Sequence, residues 1–430
     1  MTDSDFSPET VSTSETAAES TSATAPATTS VPERAEQFAQ TVPGAHNVGR
    51  TFAELTTLRI GGAPAAVIAC ATAEALHQVV AWADQEEIPN IVVGGGSNLV
   101  VGEGPGVQDL LVIWAHAGAA GAQASEEDQD AEIQGESDIS VDTSTGVVRA
   151  FAGVVLDELV EVTVAAGLGG LECLSGIPGS VGATPVQNVG AYGAEVSQTL
   201  RRVQLHERST GRWEWVDPES LDLDYRYSNL KFTHRAVVTA VEFQLSTDGL
   251  SAPLRFGELA RRLGVTPEEG HGVRRPVAEV REAVLALRAG KSMVLDEADH
   301  DTWSAGSFFT NPIVVGRDAR DAVVAAVRTR CSDAEADSMP LYPAGHSAEG
   351  EERFKFSAAW LIERAGFSKG WHVPGNDRAS LSTKHTLALT NRGGASSEDV
   401  VELARAVRDG VREAFGVVLE PEPIWLGATL

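Results

Sequence analysis

Two glycine-rich segments, about eighty residues apart, constrain this chain more than any other feature: Val93-Gly94-Gly95-Gly96-Ser97-Asn98 and Ser175-Gly176-Ile177-Pro178-Gly179-Ser180-Val181-Gly182-Ala183. Glycine loses more freedom on folding than any other residue, so clusters of it mark places where the backbone turns sharply or is approached closely. The first cluster follows a strand-like run directly, and consecutive glycines let main-chain amides turn toward an anion with no Cβ in the way. It lacks the G-x-G-x-x-G spacing, the following helix and the later acid of a dinucleotide-binding βαβ unit, and it lacks the lysine of a phosphate loop. A phosphate cradle and a plain tight turn both remain open for it. The second cluster runs on through Asn188-Val189-Gly190-Ala191-Tyr192-Gly193 and holds five glycines within 18 residues. With Pro178 fixing φ, it describes an irregular segment lying against something flat or anionic.

A length of 430 residues allows two or three packed units around these loops. The 61 acidic and 33 basic side chains leave a net charge of −28, which repels phosphodiester backbones and anionic lipid surfaces, so nucleic acid and membrane are not expected partners. Much of that charge falls in three stretches, residues 1–40, 121–142 and 331–352. Residues 1–36, rich in Thr, Ser, Ala and Glu, carry too little apolar surface to offset ordering entropy and read as a disordered tail. Residues 121–142 and 331–352 read as surface insertions without chemistry of their own. Cys70, Cys173 and Cys331 are too few and too scattered for a disulfide framework, and no Cys/His pair has zinc-ligand spacing, so no metal is expected. With no basic, apolar leader and no long apolar stretch, a cytoplasmic protein is the expectation.

Periodicity between the loops alternates. Residues 64–71 read as a buried strand, 73–87 as a helix capped by Thr72, and 91–93 as a strand again, which together make a βαβ unit. Residues 147–151 are a strand, and Leu156, Leu159, Val160, Thr163 and Val164 mark a helix that Gly167 ends. Strands at 200–206 and 213–216 flank the hairpin signal Ser209-Thr210-Gly211, and 237–245 is a further strand. Beyond Pro276 come helices near 277–287, 356–364 and 399–415, with strand-like 385–390 between the last two. The class is α+β.

Both glycine clusters, in this order and spacing, resemble the UDP-N-acetylenolpyruvoylglucosamine reductase family, and the resemblance runs on from about Asn47. Thr57-Leu58-Arg59-Ile60-Gly61-Gly62, Tyr225-Arg226-Tyr227-Ser228, Arg288 with Lys291, Gly306-Ser307-Phe308-Phe309-Thr310-Asn311-Pro312 and Leu419-Glu420-Pro421-Glu422 each look like a family motif. The resemblance implies a two-part FAD-binding domain of the PCMH/vanillyl-alcohol-oxidase type, split as 37–105 and 106–296, followed by a substrate-binding domain at 297–430. It implies non-covalent FAD held by Gly94, Gly95, Gly96, Ser97 and Asn98 at the pyrophosphate and by Ser175, Gly176, Ile177, Pro178, Gly179, Gly182 and Ala183 along the flavin. NADPH would be the co-substrate, and UDP-N-acetylglucosamine enolpyruvate would be reduced to UDP-N-acetylmuramate for peptidoglycan precursors. Hydride would pass from flavin N5 to C3 and a proton to C2.

By the same resemblance Arg226 would stabilise the developing enolate, Glu422 would support it, and Ser307 would donate the proton. Tyr225, Lys291 and Asn311 would bind substrate. The expected partners are these small molecules, and the expected state is a monomer. One departure stands out: Phe256 occupies a position where the subgroup with a longer middle segment usually has tyrosine, so a hydroxyl for the substrate diphosphate is missing there. A FAD oxidase of small alcohols or hydroxy acids on the same scaffold, and a non-catalytic flavin-binding paralogue, are the alternatives. Intact Arg226, Ser307 and Glu422 argue against the second.

Overall fold

A computed structural model describes residues 30–118, 138–255, 257–269 and 272–430. Its first layer is a four-stranded sheet in the order Ala45–Asn47, Ala66–Cys70, Leu111–Ala115, Asn90–Val93. The Ala66–Cys70 and Asn90–Val93 strands both run parallel to Leu111–Ala115 between them, so the expected βαβ unit is present with a third strand inserted. Every residue of Ala66–Cys70 is buried, as an apolar run in a covered parallel sheet should be.

The connecting helix, Ala73–Gln85, starts at Thr72, whose side chain accepts a hydrogen bond from Ala75 N. Its face of Leu76, Val79, Val80 and Ala83 is fully buried in a core shared with Val203, Leu205, Val241 and Phe243 of the second sheet. Each such large aliphatic side chain contributes about 1.5–3 kcal/mol on burial. That second sheet is wholly antiparallel, in the order Trp213–Val216, Leu200–Glu207, Ala236–Gln244, Val147–Phe151, Ile139–Asp142. One helix therefore cements two sheets.

The C-terminal unit has its own core, built on the amphipathic helix Ser397–Phe415, the helices Arg317–Arg330 and Ala358–Arg364, and a small sheet of Ile313–Val315, Glu352–Phe356 and Leu341–His346. Two devices dock it on the rest. Leu58 and Ile60 are buried within its core although they lie far away in sequence. The chain's last strand, Ile424–Leu426, pairs in parallel with Leu99–Val101 immediately after the first glycine loop.

Several expected boundaries need correction. Residues 31–36 are not tail: Val31–Ala39 is a helix with a capping box at Ser30 and with Ala35 and Ala39 buried. A low-apolar window can still form a helix when a few side chains, here Val31, Ala35, Phe38 and Ala39, meet the core. A division at 105 would cut through the first sheet, since Leu111–Ala115 is one of its central strands. The end of the presumed insertion, Ile139–Asp142, is a sheet strand, and 331–352 contains the helix Asp333–Asp337 and the strand Leu341–His346. Phe356 closes a strand, and the helix expected there begins at Ala358; the strand expected at 385–390 is Leu389–Asn391. Residues 119–137 and Phe256 lie outside the described residues. No helix among the described residues is long and apolar enough to cross a membrane.

Candidate active site

The two glycine loops meet. A Cβ on Gly95 would lie 2.5 Å from Gly179 Cα, and one on Gly94 would fall on the Ser180 side chain, so the loops pack backbone against backbone. The glycines serve this contact as well as any ligand. Among the described residues, the main-chain N–H groups of Gly94, Gly95, Gly96 and Ser97 donate to no protein acceptor. A run of free donors beside a cleft is what an anion needs.

The cleft is a cavity of about 380 Å³ bounded by both loops. Ile91, Val93, Leu156, Ile177, Val189 and Val237 make apolar walls, and Arg208, Arg226, Lys231, Arg288, Ser307 and Glu422 bring polar groups to it. Arg288 is 8% exposed; its Nη2 donates to Met293 O at 2.6 Å while its Nε has no partner. Apolar walls, unpaired amides and the buried Arg288 guanidinium fit a ligand with a planar ring system and a diphosphate, which is the composition of FAD.

Two segments distant in sequence bring Ser307 and Glu422 together. Glu422 N donates to Phe308 O at 2.9 Å and Thr310 N to Glu420 O at 3.0 Å, an antiparallel bridge that sets Glu422 beside the residue following Ser307. Phe308 and Phe309 anchor the bridge, with both rings buried. On the other side, Ile424 N donates to Asn98 O at 2.9 Å and Asn98 Nδ2 to Gln187 Oε1 at 2.9 Å, so the first loop, the second loop and the C-terminal motif share one polar seam.

Arg226 projects from a tight turn in which Asp224 and Tyr227 exchange main-chain hydrogen bonds. Its φ is +55°, a left-handed conformation that favours glycine or asparagine. Its Nη2 donates to Gly190 O at 2.6 Å, and its Nε lies 3.3 Å from Glu422 Oε1. Burial pushes the Glu422 carboxyl up from its ordinary value, and Arg226 and Lys231 pull it back only in part. Lys231 is 8% exposed and donates to Arg226 O at 3.2 Å; burial lowers its ammonium.

Not every expected site residue comes to the cavity. Gly94 to Asn98, Ile177, Pro178, Gly179, Gly182, Ala183, Arg226, Ser307 and Glu422 line it. Ser175 is buried with its hydroxyl on Glu172 O, and Gly176 N donates to Asp157, so both shape the loop from behind. Asn311 Oδ1 accepts from Ala358 N at the start of a helix, Lys291 pairs with Glu258 at 2.8 Å, and the Tyr225 ring lies beside the Arg226 guanidinium and under Lys355. Lys231, Arg208 and the role of Arg288 were missed. The one available signal was that Lys231 is among only five lysines of the chain and lies five residues after Arg226.

Comparison with known proteins matches residues 297–426 to the model of the UDP-N-acetylenolpyruvoylglucosamine reductase C-terminal domain and residues 64–217 to an FAD binding domain. A reductase of that name from Corynebacterium jeikeium is 68% identical over 402 residues, covering 90% of this chain and 92% of the relative. One from Mycobacterium tuberculosis is 48% identical, covering 88% and 95%. The crystal structure of the Thermus caldophilus reductase superposes with a TM-score of 0.53 at 24% identity, over 89% of this chain and 98% of that one, which shows the shared fold.

Proposed function

This chain belongs to the UDP-N-acetylenolpyruvoylglucosamine reductase family, and from that premise we propose how its own residues carry out the reduction of the enolpyruvyl sugar nucleotide. It is an FAD- and NADPH-dependent oxidoreductase of peptidoglycan precursor synthesis. FAD, when bound, supplies transfer of a hydride from NADPH to C3 of the enolpyruvyl group. The protein must hold that cofactor, bind the charge that develops on the substrate, and deliver one proton to C2.

The observation that carries the reading is the convergence of Arg226, Glu422 and Ser307 on one cavity from three separate segments. The amides of Gly94 to Ser97 would take the diphosphate of FAD, and Ile177 to Gly179 with Gly182 and Ala183 would pack along its ring. The Arg226 guanidinium has a planar fork of donors, so it would stabilise negative charge spreading from C2 into the substrate carboxylate. Ser307 would donate the proton to C2. Glu422, a buried carboxyl beside Arg226, would hold the guanidinium in place and set the electrostatic balance around Ser307. Tyr225, at the rim, would contact the sugar nucleotide. Lys291 and Asn311 would act there only after leaving the Glu258 and Ala358 partners they now have. Dependence on NADPH supports a cytoplasmic setting.

The test is a turnover assay on the purified holoprotein. Loss of NADPH absorbance should require UDP-N-acetylglucosamine enolpyruvate and yield UDP-N-acetylmuramate mole for mole. NADPH consumption that ignores the sugar nucleotide and tracks oxygen would refute the reading and point to an oxidase.

A further inference from the structure

Arg226 is held in its left-handed turn by more than its own backbone, and the group that holds it lines the same cavity as Glu422. Lys231 follows the turn and is 8% exposed; its Nζ donates to the main-chain oxygen of Arg226 at 3.2 Å. Ser228, fully buried, donates its hydroxyl to Val186 O at 2.6 Å and accepts from Leu230 N, which fixes the base of the same loop to the second glycine segment. Lys231 N donates to Ser228 O at 3.1 Å. The lysine is therefore fixed at its own main-chain amide by Ser228 and at its ammonium by the Arg226 carbonyl. Burying a lysine is costly unless its charge is met, and here it is met by a carbonyl and by the field of a buried carboxylate.

We propose that Lys231 is a positioning residue for the protonation step, one that fixes the Arg226 backbone and balances the charge of Glu422 so that both face the substrate in the required state. The proposal rests on the roles of Arg226 and Glu422 given above. A guanidinium at φ +55° has its aim set by a strained backbone, which persists only where its surroundings over-determine it. Without the Lys231 contact the turn can relax and the guanidinium swings. Without its charge, Glu422 keeps only Arg226 as a cationic neighbour and takes up a proton at higher pH. The charged and titratable groups facing this pair are Arg226, Lys231 and Glu422 themselves, with Tyr225, Glu195 and Lys355 around them.

Three variants decide it: Lys231→Met, Lys231→Arg and Glu422→Gln, each as holoprotein, with the two half-reactions followed separately across pH. Lys231→Met should retain FAD and be reduced by NADPH within about threefold of the parent. Its reoxidation by the enolpyruvyl substrate should fall at least about tenfold, with the acid limb of the pH profile moved to higher pH, as loss of a cation beside a carboxyl requires. Lys231→Arg should return that limb most of the way, and Glu422→Gln should abolish it. A uniform loss in both half-reactions, or an acid limb that Lys231→Met leaves in place while Glu422→Gln removes it, overturns the role of Lys231 alone. A limb that survives Glu422→Gln overturns the reading of Glu422 and this proposal with it.

Discussion

At the level of single residues, the site is built from groups kept out of their ordinary state. Arg226 occupies a backbone region that costs an L-residue roughly 1–2 kcal/mol, and the Tyr225-Arg226 turn keeps it there because the side chain is wanted at the cleft. Glu422 is raised by burial. Away from the cavity lining, His385 is also kept out of its ordinary state: burial, then the nearby Lys291, Lys369 and Arg288, bring its pKa down to about 4. A histidine held neutral in the fold contributes its full share of stability above the unfolded value near 6.5, and that share is lost as pH falls through 6.5 toward 4. We expect His385→Gln to melt at nearly the parental temperature at pH 8 and to lose less stability than the parent between pH 7 and 5, by about 1–2 kcal/mol. Parallel melting curves for the two proteins across that range would contradict it. That Arg226, Ser307 and Glu422 would share one cavity was readable because each sits in a distinctive motif. Lys231 was not, since its importance lies in a 3.2 Å reach to a carbonyl that sequence spacing does not reveal.

At the level of elements, strands and helices with a strict apolar period were readable to within a residue or two: Ala73–Gln85, Val147–Phe151, Trp213–Val216 and Val277–Ala289. What escaped were elements whose partners lie far away. Leu99–Val101 is three residues long and becomes a strand because Ile424–Leu426 lies beside it. Val31–Ala39 escaped because composition averages over a window while packing needs only a few contacts. Ala35 and Ala39 enter the main core, Phe38 stacks on Trp82 at 4.4 Å, and Arg34 pairs with Glu86 at 2.5 Å. A chain beginning at residue 37 should therefore melt several degrees below one beginning at residue 30, since it loses the Ala35 contact, the ion pair and the capping box. Differential scanning calorimetry of the two truncations compares them directly. Equal melting temperatures would show that the helix adds nothing to the fold.

At the level of the whole molecule, the proposed catalytic groups depend on the packing of the C-terminal unit against the FAD-binding part. Leu58 and Ile60 enter its core, Thr57 Oγ1 donates to Ser304 O at 2.7 Å, and Asn391 Nδ2 donates to Leu58 O and Arg59 O, both at 3.1 Å. Glu422 sits at this junction, tied to Phe308 on one side and, through Ile424, to Asn98 on the other. Deleting residues 424–430 should leave both cores folded, as judged by circular dichroism, yet lower kcat by two orders of magnitude or more. A truncated enzyme with parental kcat would show that the strand is dispensable. The central claim is that this packing delivers Ser307 to C2 of the substrate as the proton donor. Its most direct test is stopped-flow measurement of both half-reactions in Ser307→Ala. Reduction of the bound flavin by NADPH should proceed near the parental rate, because it needs no proton at C2. Reoxidation by UDP-N-acetylglucosamine enolpyruvate should slow by roughly 10² to 10⁴, the usual contribution of a general acid. Equal slowing of the two phases, or a reoxidation rate close to the parent's, would contradict the assignment.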